Sequence, residues 1–216
     1  MIHGLPAFRA NAKENATHLI QNSKDVVNQE INVEAHKAVY LVNCENCTYT
    51  VKGKLVKLTV ENCRNVVLKV EDKILTGTVD LFKSTNVSLH FERSVSMFSL
   101  ENNQSIDIRL PDAEHFGYMI WAGVEDLKLR LGDDVHVLSY SELQSRNPGL
   151  RPETDQFKTS VVDGSIMTEA MIRLDGGFPA TRTEEANHRQ VERFKDEVLR
   201  GGHGGEEDEE NTEGAA

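Results

Sequence analysis

Five segments of the chain align without gaps at a spacing near twenty residues, and this repeat limits what the chain can fold into. They span residues 43–51, 62–70, 83–91, 102–110 and 123–131, with starts 19, 21, 19 and 21 residues apart. A fainter copy at 22–27 begins 21 residues before the first. Self-similarity at this period marks units that stack, because one unit is too short to bury its own apolar face. In every copy the fifth, seventh and ninth positions are apolar: Cys47/Tyr49/Val51, Val66/Leu68/Val70, Val87/Leu89/Phe91, Ile106/Ile108/Leu110 and Leu127/Leu129/Leu131. The residues between them are mostly polar, so each unit holds a strand with one buried face.

A second alternating pair precedes each copy: Val39/Leu41, Leu58/Val60, Val79/Leu81, Phe98/Leu100 and Met119/Trp121. Each unit therefore carries two short strands that meet at a corner. Asn43, Asn62 and Asn102 hold the first corner position; Asn46, Asn65, Asn86, Ser105 and Asp126 hold the fourth. Asn tolerates left-handed backbone and bonds locally, which suits a turn, and amides stacked in register can form ladders. The expected fold is all-β, a parallel β-helix of about six coils of about twenty residues. A leucine-rich repeat has a similar period, but its Leu-x-x-Leu-x-Leu signature is missing.

Beyond residue 131 the repeat stops. Residues 133–152 read as a partial strand (Val135, Val137, Leu138) followed by a loop through Asn147-Pro148-Gly149. Residues 155–172 read as a β-hairpin turning at Asp163-Gly164. Residues 183–200 read as a largely charged helix with Val191, Phe194 and Val198 on one side. The final segment is acidic and Gly-rich, a composition that favours disorder. This divides the chain into an extension (1–14), a β-helix domain with its hairpin (15–172, hairpin about 155–172) and a tail (173–216).

The net charge of −11 is largely a property of that tail: residues 206–213 carry six acids, and from residue 201 onward there is no Lys or Arg. Without them, 24 basic residues face 29 acids, a net of −5. A nucleic-acid binder driven by a global basic field is thereby disfavoured. Three cysteines are too few for a disulfide scaffold. The N-terminus lacks the layout of a signal peptide, and no apolar run approaches the ~20 residues of a membrane span. The expectation is a reduced, intracellular, soluble protein without membrane insertion.

Cys44, Cys47 and Cys63 invite a zinc reading, but Cys47 falls on a buried strand position and Cys44 and Cys63 on equivalent corner positions of adjacent coils. They read as buried free thiols rather than metal ligands. Outward acids (Glu45, Glu61, Asp72, Glu92, Glu101, Asp107) and histidines (His18, His36, His90, His115, His136) are scattered. No paired carboxylates, nucleophile motif or phosphate loop stand out, so the reading assigns no catalytic residue, metal or cofactor. Lys52, Lys54, Lys57, Arg64 and Lys69 form a basic cluster opposed within its span only by Glu61, a local +4. Read along the chain, these side chains make one patch on one side of the helix, suited to an acidic protein.

The run from Val39 to Lys54, with Asn43-Cys-Glu-Asn-Cys47 and Lys52-Gly53-Lys54, followed by Glu61-Asn-Cys-Arg64, resembles the C-terminal domain of cyclase-associated proteins. So does Asp155-Gln-Phe-Lys-Thr159 with Ile166-Met-Thr168 beyond a Gly turn. The resemblance covers about residues 15–172. It implies a right-handed β-helix that dimerises by exchanging its C-terminal hairpin, here through Phe157, Thr159, Val161, Ile166 and Thr168. It also implies binding to actin monomers, preferentially in the ADP form, and promotion of ADP-to-ATP exchange in cytoplasm and cytoskeleton. Carried across, Lys52, Lys54, Lys57 and Arg64 fall where the family contacts actin; Lys69 joins them on charge. Asn65 stands where the family has a second basic residue. The family's upstream helical and proline-rich regions have no counterpart in this stretch, so their cofilin-, profilin- and SH3-linked activities are not expected. The rival reading is a tubulin cofactor C-like GTPase-activating or scaffold β-helix. It needs an arginine finger seven residues before Cys63, where this chain has Val56.

Overall fold

The computed structural model describes residues 16–151, 154–174 and 177–201. The expected N-terminal extension and the acidic run 206–213 lie outside the described residues. The strands are β1 (Thr17–Gln21), β2 (Gln29–Asn32), β3 (Ala38–Val42), β4 (Glu45–Lys52), β5 (Leu58–Glu61), β6 (Arg64–Val70), β7 (Thr78–Phe82), β8 (Thr85–Phe91), β9 (Val95–Leu110), β10 (Phe116–Leu131), β11 (Asp134–Leu138), β12 (Phe157–Val162) and β13 (Ser165–Ala170). One side of the solenoid stacks β1, β3, β5, β7 and the first halves of β9 and β10, all parallel. The second side stacks β2, β4, β6, β8 and the second halves of β9 and β10. A short third side closes each coil, where Leu55 and Ile74 pair and point inward. Counted from strand to stacked strand, the solenoid completes about five turns rather than six, because the first coil only begins the stack.

All fifteen inward positions of the five repeats are buried, as are the ten on the preceding strands. Each fully buried Val, Leu or Ile contributes about 1.5–3 kcal/mol relative to exposure, so every coil is held mainly by its row of inward side chains. The corners behave as Asn chemistry requires. Asn43, Asn62, Lys83 and Asn102 at the first position have positive φ, as do Asn46, Asn65, Asn86, Ser105 and Asp126 at the fourth. Two side-chain ladders climb the corner. Asn62 donates to Asn43 (2.7 Å) and Asn43 to Asn22 (3.1 Å). Asn86 donates to Asn65 (2.8 Å), Asn65 to Asn46 (2.9 Å) and Asn46 to Asp25 (2.9 Å). The second corner position points inward, and Cys44, Cys63, Ser84, Asn103 and Val124 are all buried there. The buried Asn103 amide is satisfied, accepting from the Ser84 N–H and donating to the Leu81 carbonyl (2.9 Å each).

After β10 the chain folds back antiparallel as β11, whose Leu138 faces Leu127. A helix, α1 (Tyr140–Arg146), follows where the sequence reading had a loop. The hairpin β12–β13 turns at Asp163 (φ 50°) and Gly164 (φ 75°), and β12 pairs antiparallel with the first half of β10.

Residues 171–216 form a separate unit. Within it β14 (Ile172–Arg173) pairs with β15 (Pro179–Ala180), and α2 runs Arg182–Gly201. Its start is a capping box: the Glu184 N–H donates to Thr181 Oγ1 (3.2 Å) while Glu184 Oε2 accepts from the Thr181 N–H (2.8 Å). Val191, Phe194 and Val198 lie exposed on α2.

Candidate functional site: the basic surfaces of the solenoid

Lys52 ends β4, and its ammonium meets Glu30 Oε1 at 2.5 Å, which raises its pKa. Gly53 then turns the chain at φ +95° and donates its N–H to Asp72 Oδ2 (2.8 Å). A Cβ at Gly53 would lie 2.5 Å from the Val33 carbonyl oxygen, so the Lys-Gly-Lys motif needs its glycine. Lys54 is exposed beyond this turn. Lys69 points outward between buried Leu68 and Val70 and sits between Glu92 (3.0 Å) and Glu71 (3.3 Å). Those two carboxylates, Glu92 first, raise its pKa. Lys69 pairs in register with Thr50, which brings it beside Lys52.

The other two residues of the expected patch lie elsewhere. Lys57 immediately precedes β5 on the first side, and its ammonium is bound to the Asp80 carboxylate. Arg64 opens β6 at the Asn corner, opposite Glu45, five residues from Lys69 or about 16 Å of strand. The single patch expected from the sequence is therefore not formed. Lys52, Lys54 and Lys69 gather near the end of the second side, while Arg64 stands at the opposite end of β6 and Lys57 at the start of the first side. The reason is geometric: twenty residues make a full circuit, so cations close in sequence are distributed around the coil.

Register assembles a different group. Thr50, Lys69, His90, Arg109 and Arg130 pair in succession along β4, β6, β8, β9 and β10. They are the eighth residue of each repeat, so four consecutive coils present Lys, His, Arg and Arg in one outward row, about 4.8 Å apart. Arg130 Nε donates to both Asp107 oxygens (2.8 and 2.9 Å). Arg109 is exposed and has no ion pair among the described residues. His90 has its pKa lowered, first by burial and then by Arg109; Asp107 opposes this, and Arg130 and Lys69 add smaller lowering effects. Reading the repeats by column would have shown this row; reading the basic residues along the chain did not.

The hairpin residues singled out from the sequence divide by depth. Phe157 is buried against Trp121 (centroids 4.8 Å) and meets Tyr140 edge-on at 6.0 Å. Thr159 is fully buried; its hydroxyl accepts from the Trp121 indole N–H (2.9 Å) and bonds the Thr168 hydroxyl (2.9 Å). Val161 and Ile166 are partly buried against the core. The Lys158 ammonium stands 4.7 Å from the centroid of the Tyr118 ring. All three cysteines are free and buried, and burial pushes the Cys63 thiol up to about 12. Among the described residues no group of three or more His, Cys, Asp or Glu is placed to hold a metal ion. No described helix is long and apolar enough to cross a membrane.

A parallel β-solenoid with an Asn-lined corner, closed at one end by an antiparallel hairpin, defines the structural class. Residues 8–132 match the family described as adenylate cyclase associated (CAP) C terminal, and the chain belongs to that family. It is 27% identical over 92 residues to adenylyl cyclase-associated protein 1 of Bos taurus, and 29% identical over 82 residues to that of Homo sapiens. These matches take in 42% and 38% of this chain but 19% and 17% of the relatives, so the likeness covers less than a fifth of their length. Among solved structures, the cyclase-associated protein from Cryptosporidium parvum superposes with a TM-score of 0.50 at 16% identity, covering 73% of this chain and 90% of that one, a likeness of fold.

Proposed function

We propose that this chain binds actin monomers, preferring the ADP form, and promotes exchange of ADP for ATP, supporting filament turnover in cytoplasm and cytoskeleton. It acts as an exchange factor without bond-making chemistry of its own. The observation that carries the reading is family membership across the repeat, since the family's C-terminal domain acts on actin. The local chemistry is compatible: actin is acidic, and Lys52, Lys54 and Lys69 stand together on an otherwise acidic protein. In this reading Lys57 and Arg64 belong to the contact only if actin reaches around the coil.

We also propose that the hairpin exchanges between two copies. The contacts of Phe157 and Thr159 with β10, and the packing of Val161 and Ile166 on the core, can be made by a second copy's hairpin, with Thr168 holding Thr159 within it, and pairing there covers a strand edge in either case. The test of exchange is release of a labelled nucleotide from ADP-actin: acceleration at micromolar protein is expected, and no acceleration refutes the reading. Light scattering at two concentrations tests the dimer, and a monomer mass at both refutes it.

A further inference from the structure

We propose that the acidic surface of the actin monomer docks along the outward row Lys69–His90–Arg109–Arg130 on the second side of the solenoid, with Arg109 as its main ionic anchor. This rests on the actin reading above and assigns that contact to residues the Lys-Gly-Lys motif does not include.

The row is continuous over four coils, and from Thr50 to Arg130 no acid interrupts it. Its backbone is a rigid parallel ladder, so the cations are held in line before any partner arrives. Two are engaged within the chain, Lys69 with Glu71 and Glu92 and Arg130 with Asp107. Arg109 lies between His90 and Arg130, exposed and without an ion pair among the described residues. Lys128 adds a further cation one row away, held by Asp126 at 3.4 Å. The pKa of His90 is lowered first by burial and next by Arg109, its neighbour in the row. Pairs within the chain account for Lys69 and Arg130 but not for Arg109, which stacks directly on Arg130, and like charges directly opposite destabilise a sheet. The first side differs in character: its stacked strands β1, β3, β5, β7 and the first halves of β9 and β10 carry Glu61, Asp80 and Glu101 and no Lys or Arg, with Asp80 buried and paired to Lys57 at its edge. An acidic partner therefore finds its row of cations on the second side and no such row on the first, which favours one orientation. The acids interleaved beside the row distinguish it from a surface for a uniform polyanion and suit a folded protein of mixed charge.

The test compares binding of fluorescent ADP-actin monomer to the full chain and to two variants of equal charge change. Arg109→Glu is expected to weaken binding about tenfold or more. Lys83→Glu, at an exposed corner away from the row, is expected to stay within about twofold. Melting curves establish that both variants fold, and Arg109→Gln gives an intermediate loss. If the wild type binds and Arg109→Glu matches it, or falls no further than Lys83→Glu, the docking row is wrong and the actin reading stands. If the wild type does not bind actin, the actin reading fails and takes the row with it. Replacing the six acids of 206–213 by amides checks the other occupant: a gain in affinity that vanishes in the Arg109→Glu background assigns the row to the chain's own tail and overturns the proposal.

Discussion

Replacing Thr159 by Val tests how the hairpin is fastened to the solenoid. Valine keeps the branched shape and strand preference of threonine and removes only the hydroxyl. That hydroxyl is fully buried, accepts from the Trp121 indole N–H and bonds Thr168 Oγ1. Its loss leaves the indole N–H with no partner at the base of the hairpin, since Trp121 is itself 1% exposed. An orphaned buried donor costs about 1–3 kcal/mol, whereas removing both partners of a buried bond together is nearly neutral. For a unit of this size each kcal/mol lowers Tm by about 2–4 °C, so a fall of about 2–12 °C is expected. Urea titration should show a lower midpoint with an unchanged m-value, because the exposed surface on unfolding is the same.

The decisive measurement is a double-mutant cycle. In a Trp121→Phe background there is no indole N–H to orphan, so Thr159→Val should cost markedly less than in the wild type. Equal costs in the two backgrounds would refute the reasoning, as would a single variant within about 0.5 kcal/mol of wild type. Thr168→Val serves as the contrast. Thr168→Val leaves the Thr159 hydroxyl in place to accept from the indole N–H, so no indole donor is orphaned and a smaller loss is expected.

Gly53→Ala should be more damaging than Gly164→Ala, although both glycines have positive φ. At Gly53 the new Cβ meets the Val33 carbonyl oxygen at 2.5 Å, while at Gly164 nothing lies within 4 Å. Urea midpoints should show a loss near 1 kcal/mol at Gly164 from backbone strain alone and about 2 kcal/mol or more at Gly53, and equal losses would remove the clash from the explanation. His90 has a folded pKa below its unfolded value of about 6.5, so the folded state binds its proton less readily. The corresponding stability is present above pH 6.5 and is lost as pH falls from there through the folded pKa. On going from pH 7.5 to 5.5 the midpoint should therefore fall more in wild type than in His90→Gln, and parallel falls would contradict the lowering of the His90 pKa by burial and Arg109.

Much of the fold was legible because a solenoid repeats the same physical requirement in every coil. The inward columns had to be apolar, and the first and fourth corner positions needed residues that accept positive φ. Both requirements leave a mark in each copy. Lys83 shows the limit of residue preference: it adopts the Asn conformation with no Asn side chain, because its coil is held in place by its neighbours. The helix Tyr140–Arg146 escaped because seven residues with Leu143 as the main apolar contact give no periodicity to detect. The Asp163-Gly164 turn was plain because its residue chemistry is local.

The candidate site was harder to read for a reason that follows from the same architecture. In a coil of twenty residues, proximity along the chain places side chains on different sides, while proximity across one repeat places them 4.8 Å apart on the same side. Lys57 and Lys69 are twelve residues apart and face different ways; Lys69 and Arg130 are 61 residues apart and share a row. The inward and corner columns are dictated by folding, so their composition says nothing of a partner. The eighth column is outward and free of any backbone requirement, and its change from Thr to Lys, His, Arg and Arg opposes the repulsion that stacking imposes. Arg130 is held by Asp107 and Lys69 by Glu71 and Glu92, so within this column Arg109 is the residue whose charge no contact of the described fold accounts for, and that is why the proposed docking row is tested there.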